Sequence, residues 1–109
     1  MATHFGRIGI CIAALCTLWL IAGPAAADPA NGERLARQWC AACHLVAPDQ
    51  SQASADVPPF AAIARAPDFS SARIAFFLLD PHPKMPNMSL SRQEATDIAE
   101  YIASLRKTQ

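Results

Sequence analysis

Residues 40–44 read Cys40-Ala41-Ala42-Cys43-His44, and this run decides the fold. Two residues three apart share one face of a helical turn. Both thiols can therefore reach one flat ligand, and the next residue, His44, turns beneath it. This is the C-x-x-C-H pattern of c-type haem attachment. Two close cysteines have three other readings. A disulfide between Cys40 and Cys43 would close a tiny loop and add little stability. A thioredoxin-like redox pair calls for a βαβ pattern, which the flanking sequence lacks. A zinc site needs four ligands, and beyond this cluster residues 28–109 offer only His82. One covalent haem c is the expected cofactor.

On the amino-terminal side, Gly32, Leu35, Ala36, Trp39, Cys40 and Cys43 fall at i, i+3, i+4, i+7, i+8 and i+11. That is one apolar stripe, and it predicts a helix over 31–43 with Asn31 as its N-cap. Further upstream the character changes. Residues 1–7 form a short positive region, and residues 8–27 carry no acidic or basic side chain. Pro24 interrupts the apolar run just before Ala25-Ala26-Ala27. Residues 1–27 are expected to be a cleavable Sec signal peptide cut after Ala27, with an uncleaved anchor as the alternative, since twenty apolar residues can span a bilayer. The product is then periplasmic and, once cleaved, not held to a membrane.

The remaining 82 residues make one small domain that needs a staple beyond its own core. They hold eight Lys or Arg against nine Asp or Glu, a net charge of −1 with no basic run. That balance argues against a nucleic-acid partner. Eight prolines and the single glycine Gly32 leave little hairpin chemistry. On the carboxyl side of the motif, residues 45–57 are polar and without period, and read as a surface loop. Pro58-Pro59 starts a short helical turn through Ala64. A helix is expected over 70–79 on the spacing of Ile74, Phe77 and Leu78. Pro81, Pro83 and Pro86 exclude a helix between them. The last helix opens with a capping box, Ser91-Arg92-Gln93-Glu94, and its apolar face is Ala95, Ile98, Tyr101, Ile102 and Leu105. No segment alternates with period two. The expected fold class is all-α, with about four helices around one covalently attached haem.

With these residues in view, 28–109 resembles a class I (mitochondrial-type) cytochrome c of the small bacterial kind. The resemblance rests on Cys40-Ala41-Ala42-Cys43-His44, on Met85-Pro86 forty-one residues after His44, and on the helix that closes the chain. It implies that Cys40 and Cys43 hold the haem by thioethers and that His44 and Met85 are the axial ligands of its iron. Met88 and His82 lie in the same short segment as Met85 and are the alternatives. The resemblance further implies a crossing of the first and last helices at Gly32 and Tyr101, with Ile98 beside them. It also implies a proline carbonyl that accepts the second N–H of His44: Pro58, or its neighbour Pro59. Some members of the family ring the haem edge with lysines, whereas here only Lys84 is close in sequence.

The function so implied is electron transfer by a single haem cycling between Fe(II) and Fe(III), not catalysis. Redox proteins are the expected partners, a donor dehydrogenase and an acceptor oxidase or reductase, with the protein itself a monomer. Two rivals are a haem subunit or docking partner of a periplasmic dehydrogenase, and a ligand-binding or peroxidatic haem protein.

Overall fold

The computed structural model describes residue 23, residues 25–81 and residues 83–107. The apolar run of the expected leader and His82 lie outside the described residues. Four helices follow one another: α1 (Pro29–Trp39), α2 (Phe60–Arg65), α3 (Ser71–Leu79) and α4 (Arg92–Ser104). The described residues contain no strand, so the all-α expectation holds. None of their helices is long and apolar enough to cross a membrane.

Helix α4 is the hub, and α1, α2 and α3 each pack against it. Its start is fixed locally by the expected capping box. The Ser91 hydroxyl accepts from Glu94 N–H at 3.2 Å, and the Glu94 carboxylate accepts from Ser91 N–H at 2.8 Å. Ala95, Ile98, Ala99 and Ile102 then present a fully buried stripe. Ahead of the box the chain turns sharply at Ser89, whose φ of 51° lies in the left-handed region. Its N–H donates to Asn87 Oδ1 at 2.9 Å, which supports that turn.

Helix α1 begins three residues earlier than the stripe suggests. Asp28, not Asn31, is its N-cap, with Oδ1 accepting from Ala30 and Asn31 N–H and Pro29 at the first helical position. It also ends earlier, at Trp39. Residues 40–43 continue as tight turns, with Cys40 and Ala41 N–H both donating to the Ala36 carbonyl.

The crossing of α1 with α4 is as close as backbone allows. A Cβ on Gly32 would fall on the carbonyl of Asp97 and the nitrogen of Ile98. The crossing therefore meets Gly32 at Asp97–Ile98, one turn before Tyr101. Tyr101 serves elsewhere: its hydroxyl donates to the Val46 carbonyl at 2.7 Å in the core.

That bond corrects the reading of 45–57 as a surface loop. Val46 and Ala47 are buried, whereas Leu45 before them and residues 48–49 and 51–56 after them are exposed. The core proper is Leu35, Ala36, Val46, Phe60, Ala64, Leu78, Ile98 and Ile102. Trp39, placed on the same stripe as Leu35, is 44% exposed, and Phe77 is 38% exposed. Neither is packed into this core. Both line the cavity described next.

Candidate functional site

A cavity of about 400 Å³ opens between the turn after α1, helix α3, helix α4 and the segment that precedes it. Its size is within the range of cofactor sites. Phe60, Ile63, Ile74, Leu78 and Ile102 supply an apolar wall. Cys40, Cys43, His44, Pro58, Met85 and Met88 all line the same space. The residues expected to act together from the C-x-x-C-H run and the Met-Pro segment are therefore brought to one place.

The two thiols differ in setting. Both are free, Cys40 buried and Cys43 exposed. Burial pushes the Cys40 thiol up to about 11. The turn that presents them is held by Cys43 and His44 N–H donating to the Cys40 carbonyl at 3.1 and 2.8 Å. Spacing of three thus puts both sulfurs on the cavity, although the turn lies beyond the last residue of α1.

His44 is 9% exposed, and its Nδ1 is 2.7 Å from the carbonyl oxygen of Pro58. A carbonyl can only accept, so Nδ1 carries the proton and donates. In the neutral ring that tautomer leaves the Nε2 lone pair free, the form in which an imidazole binds a metal. Of the two candidate prolines, the geometry selects Pro58. The ring of Phe60 stands 5.3 Å from the imidazole at 53°, and Phe60 N–H donates to the Leu45 carbonyl at 2.9 Å. The residues on both sides of the imidazole are thereby fixed to each other.

One residue of the site has no counterpart in the sequence reading. Gln50, in the stretch without period, clamps the motif from below. Its amide nitrogen shares its two hydrogens among the carbonyls of Ala41 at 3.0 Å, His44 at 2.8 Å and Gln52 at 2.7 Å. Its oxygen accepts from Val46 N–H at 3.0 Å. A glutamine in a polar stretch gives no periodic signal, and its role depends on chain reversal that only the fold creates.

Met85 and Met88 are both half-buried and both line the cavity. Met88 is thus more than a staple beneath α4, and cavity lining by itself does not separate the two thioethers. Lys84 lines the cavity as well. An apolar slot bordered by two thiols, an imidazole of fixed tautomer and a thioether suits a large flat apolar group with a metal at its centre. The side chains present fit a covalently attached haem.

Comparison with known proteins agrees with this geometry. The family described as "Cytochrome C oxidase, cbb3-type, subunit III" matches residues 27–102. A curated relative, cytochrome c-552 of Bradyrhizobium diazoefficiens, is 57% identical over 103 residues, covering 94% of this chain and 98% of that protein. No solved structure matches the chain.

Proposed function

The chain belongs to the small monohaem c-type cytochromes and so carries covalently bound haem c, and from that premise we propose that it is a periplasmic electron shuttle with His44 and Met85 on the iron. Electron transfer is the function common to its relatives at the coarse level. The finer reading is supported above all by one observation: His44 Nδ1 is engaged by the Pro58 carbonyl at 2.7 Å on the cavity shared with Cys40, Cys43 and Met85.

When bound, the haem supplies a one-electron Fe(II)/Fe(III) couple. The chain's own residues do the rest. Cys40 and Cys43 anchor the group covalently. His44 offers Nε2, the nitrogen left free by the bond at Nδ1, and that bond also makes the imidazole a stronger donor. Met85 offers a thioether, a ligand that raises the potential of a haem iron. Phe60, Ile74, Leu78 and Ile102 exclude water from the slot, so a change of charge meets a low dielectric environment. If His44 and Met85 both bound the iron, no coordination site would be left for a substrate, and the chain is read as a carrier rather than an enzyme.

Export follows from the leader reading: cleavage between Ala27 and Asp28 leaves residues 28–109 as the mature, periplasmic chain, a monomer that meets redox protein partners. Met85 is preferred to Met88 because it sits in the turn and bend between Pro83 and Pro86, outside any helix, whereas Met88 lies just ahead of the sharp turn at Ser89 that leads into α4. A second reading, as a haem subunit of a larger redox enzyme, draws on the description of the matched family. The near-complete coverage of a relative named simply as a cytochrome favours the free carrier.

The test is to replace Met85 and Met88 in turn by alanine and record the oxidised spectrum and midpoint potential. Met85→Ala alone should abolish the methionine–iron charge-transfer band and lower the potential steeply. Loss of the band in Met88→Ala, with Met85→Ala unchanged, would reverse the assignment.

A further inference from the structure

The carboxylate of Asp97 is 2% exposed and sits where α1 crosses α4. Three neutral amide groups hold it. Asp28 N–H donates to Oδ1 at 2.8 Å, Gln93 Nε2 to Oδ1 at 2.8 Å, and Asn31 Nδ2 to Oδ2 at 2.8 Å. The guanidinium of Arg34 bonds to the side-chain oxygen of one of these donors, Asn31 Oδ1, at 2.7 and 3.2 Å. Glu94, one turn earlier on α4, adds a like charge nearby. Hydrogen bonds of this kind keep a buried carboxylate ionised, and a cation at the same distance would stabilise that charge further.

The donor on Asp28 is the backbone nitrogen next to the proposed cleavage point. We infer that removal of the leader converts this nitrogen into an α-ammonium that pairs with Asp97 and locks the first helix to the last. The inference rests on cleavage between Ala27 and Asp28. In that hydrolysis the water oxygen goes to the Ala27 acyl carbon, giving a carboxylate, and both water protons end on the Asp28 nitrogen. An amide N–H thereby becomes a cation already 2.8 Å from Oδ1. A hydrogen bond with both partners charged is shorter and stronger than its neutral counterpart.

The position also explains the local chemistry. An ammonium at the start of α1 is opposed by the helix dipole. The carboxylates of Asp28, which caps that helix, and of Asp97 offset this opposition. The leader's own tie to the cluster is weak by comparison, a 3.5 Å contact from Gln93 Nε2 to the Ala26 carbonyl. Processing thus gives up a long neutral contact and converts the 2.8 Å amide bond into an ion pair, so that the helix crossing is held more strongly in the mature chain than in the precursor.

The experiment uses holoprotein purified from the periplasm. Intact mass first establishes the starting residue. The α-amine is then acetylated selectively at slightly acidic pH, which restores a neutral amide, and thermal midpoints are compared for wild type and Asp97→Asn. The expected result is a fall of roughly 4–8 °C in wild type, the scale of one ordinary interaction in a domain this size, with no fall in Asp97→Asn. The α-amine of the wild type should also titrate above its ordinary ~7.7–8.0. A start at any other residue would remove the cleavage and the inference together. A start at Asp28 with equal midpoint changes in both proteins would leave the cleavage standing and overturn the ion pair. If Asp97→Asn does not fold, the wild-type α-amine decides: titration at or below the ordinary value overturns the pair.

Discussion

His44 and Pro58 are joined through one 2.7 Å contact between Nδ1 and a main-chain carbonyl, across fourteen residues. The contact assigns the imidazole tautomer, and the pyrrolidine ring of Pro58 restrains the backbone that carries the carbonyl.

Pro58→Gly should therefore keep the attached haem but raise the midpoint potential. A looser N–H···O bond makes His44 a poorer electron donor, which favours the reduced iron. Voltammetry of the variant against wild type measures this, and an unchanged potential would mean that the carbonyl does not tune the ligand.

Gly32→Ala should destabilise by about 1–3 kcal/mol, and Gly32→Val by more, through overpacking. The added Cβ would meet backbone of Asp97 and Ile98, which cannot swing aside as a side chain can. Chemical denaturation gives the difference. A midpoint that hardly moves would show that the two helices can separate freely.

Tyr101→Phe should cost about 1–3 kcal/mol, because the Val46 carbonyl is left buried without its partner at 2.7 Å. Spectrum and potential should stay close to wild type, since the hydroxyl lies on the loop side and not on the cavity lining. A variant as stable as wild type would mean that water replaces the bond.

Asp97 gives a pH dependence. Burial by itself raises its carboxyl, but bonds from Asp28 N–H, Asn31 and Gln93 outweigh this and hold it below the ordinary carboxylate range. A depressed acid contributes stability that is fully present above its unfolded value of ~3.9 and is lost as pH falls through the folded value. Asp97→Asn should accordingly flatten the acid limb of the stability–pH curve below about pH 4. An acid limb identical to wild type would assign that loss to other carboxylates.

What the sequence carries and what it hides divides along the range of the interactions. The Cys40–His44 run and the Ser91–Glu94 capping box are legible because their chemistry is completed within five residues. Asp28-Pro29 is an equally local cap signal, and the expectation of Asn31 places the cap three residues late. The apolar stripe of α1 is correct as a face but cannot tell core from cavity. Leu35 is 3% exposed while Trp39, one turn on, lines the slot. Hidden altogether are the clamp by Gln50 and the burial of Val46. Both depend on a chain reversal that returns residues 45–50 under the motif, where Tyr101 from the last helix meets them. The partner backbone of Gly32 is of the same kind: a glycine on a stripe announces a close approach, but not the turn it approaches.

With His44 and Met85 both on its iron, the haem would serve only to pass an electron. The most direct test is carbon monoxide added to the reduced holoprotein at neutral pH, followed in the Soret region. An axial pair of His44 and Met85 predicts a spectrum unchanged by the gas together with a reversible one-electron titration. Rapid formation of a carbon monoxide adduct in the native protein would contradict it, because it would show a coordination position open to ligands.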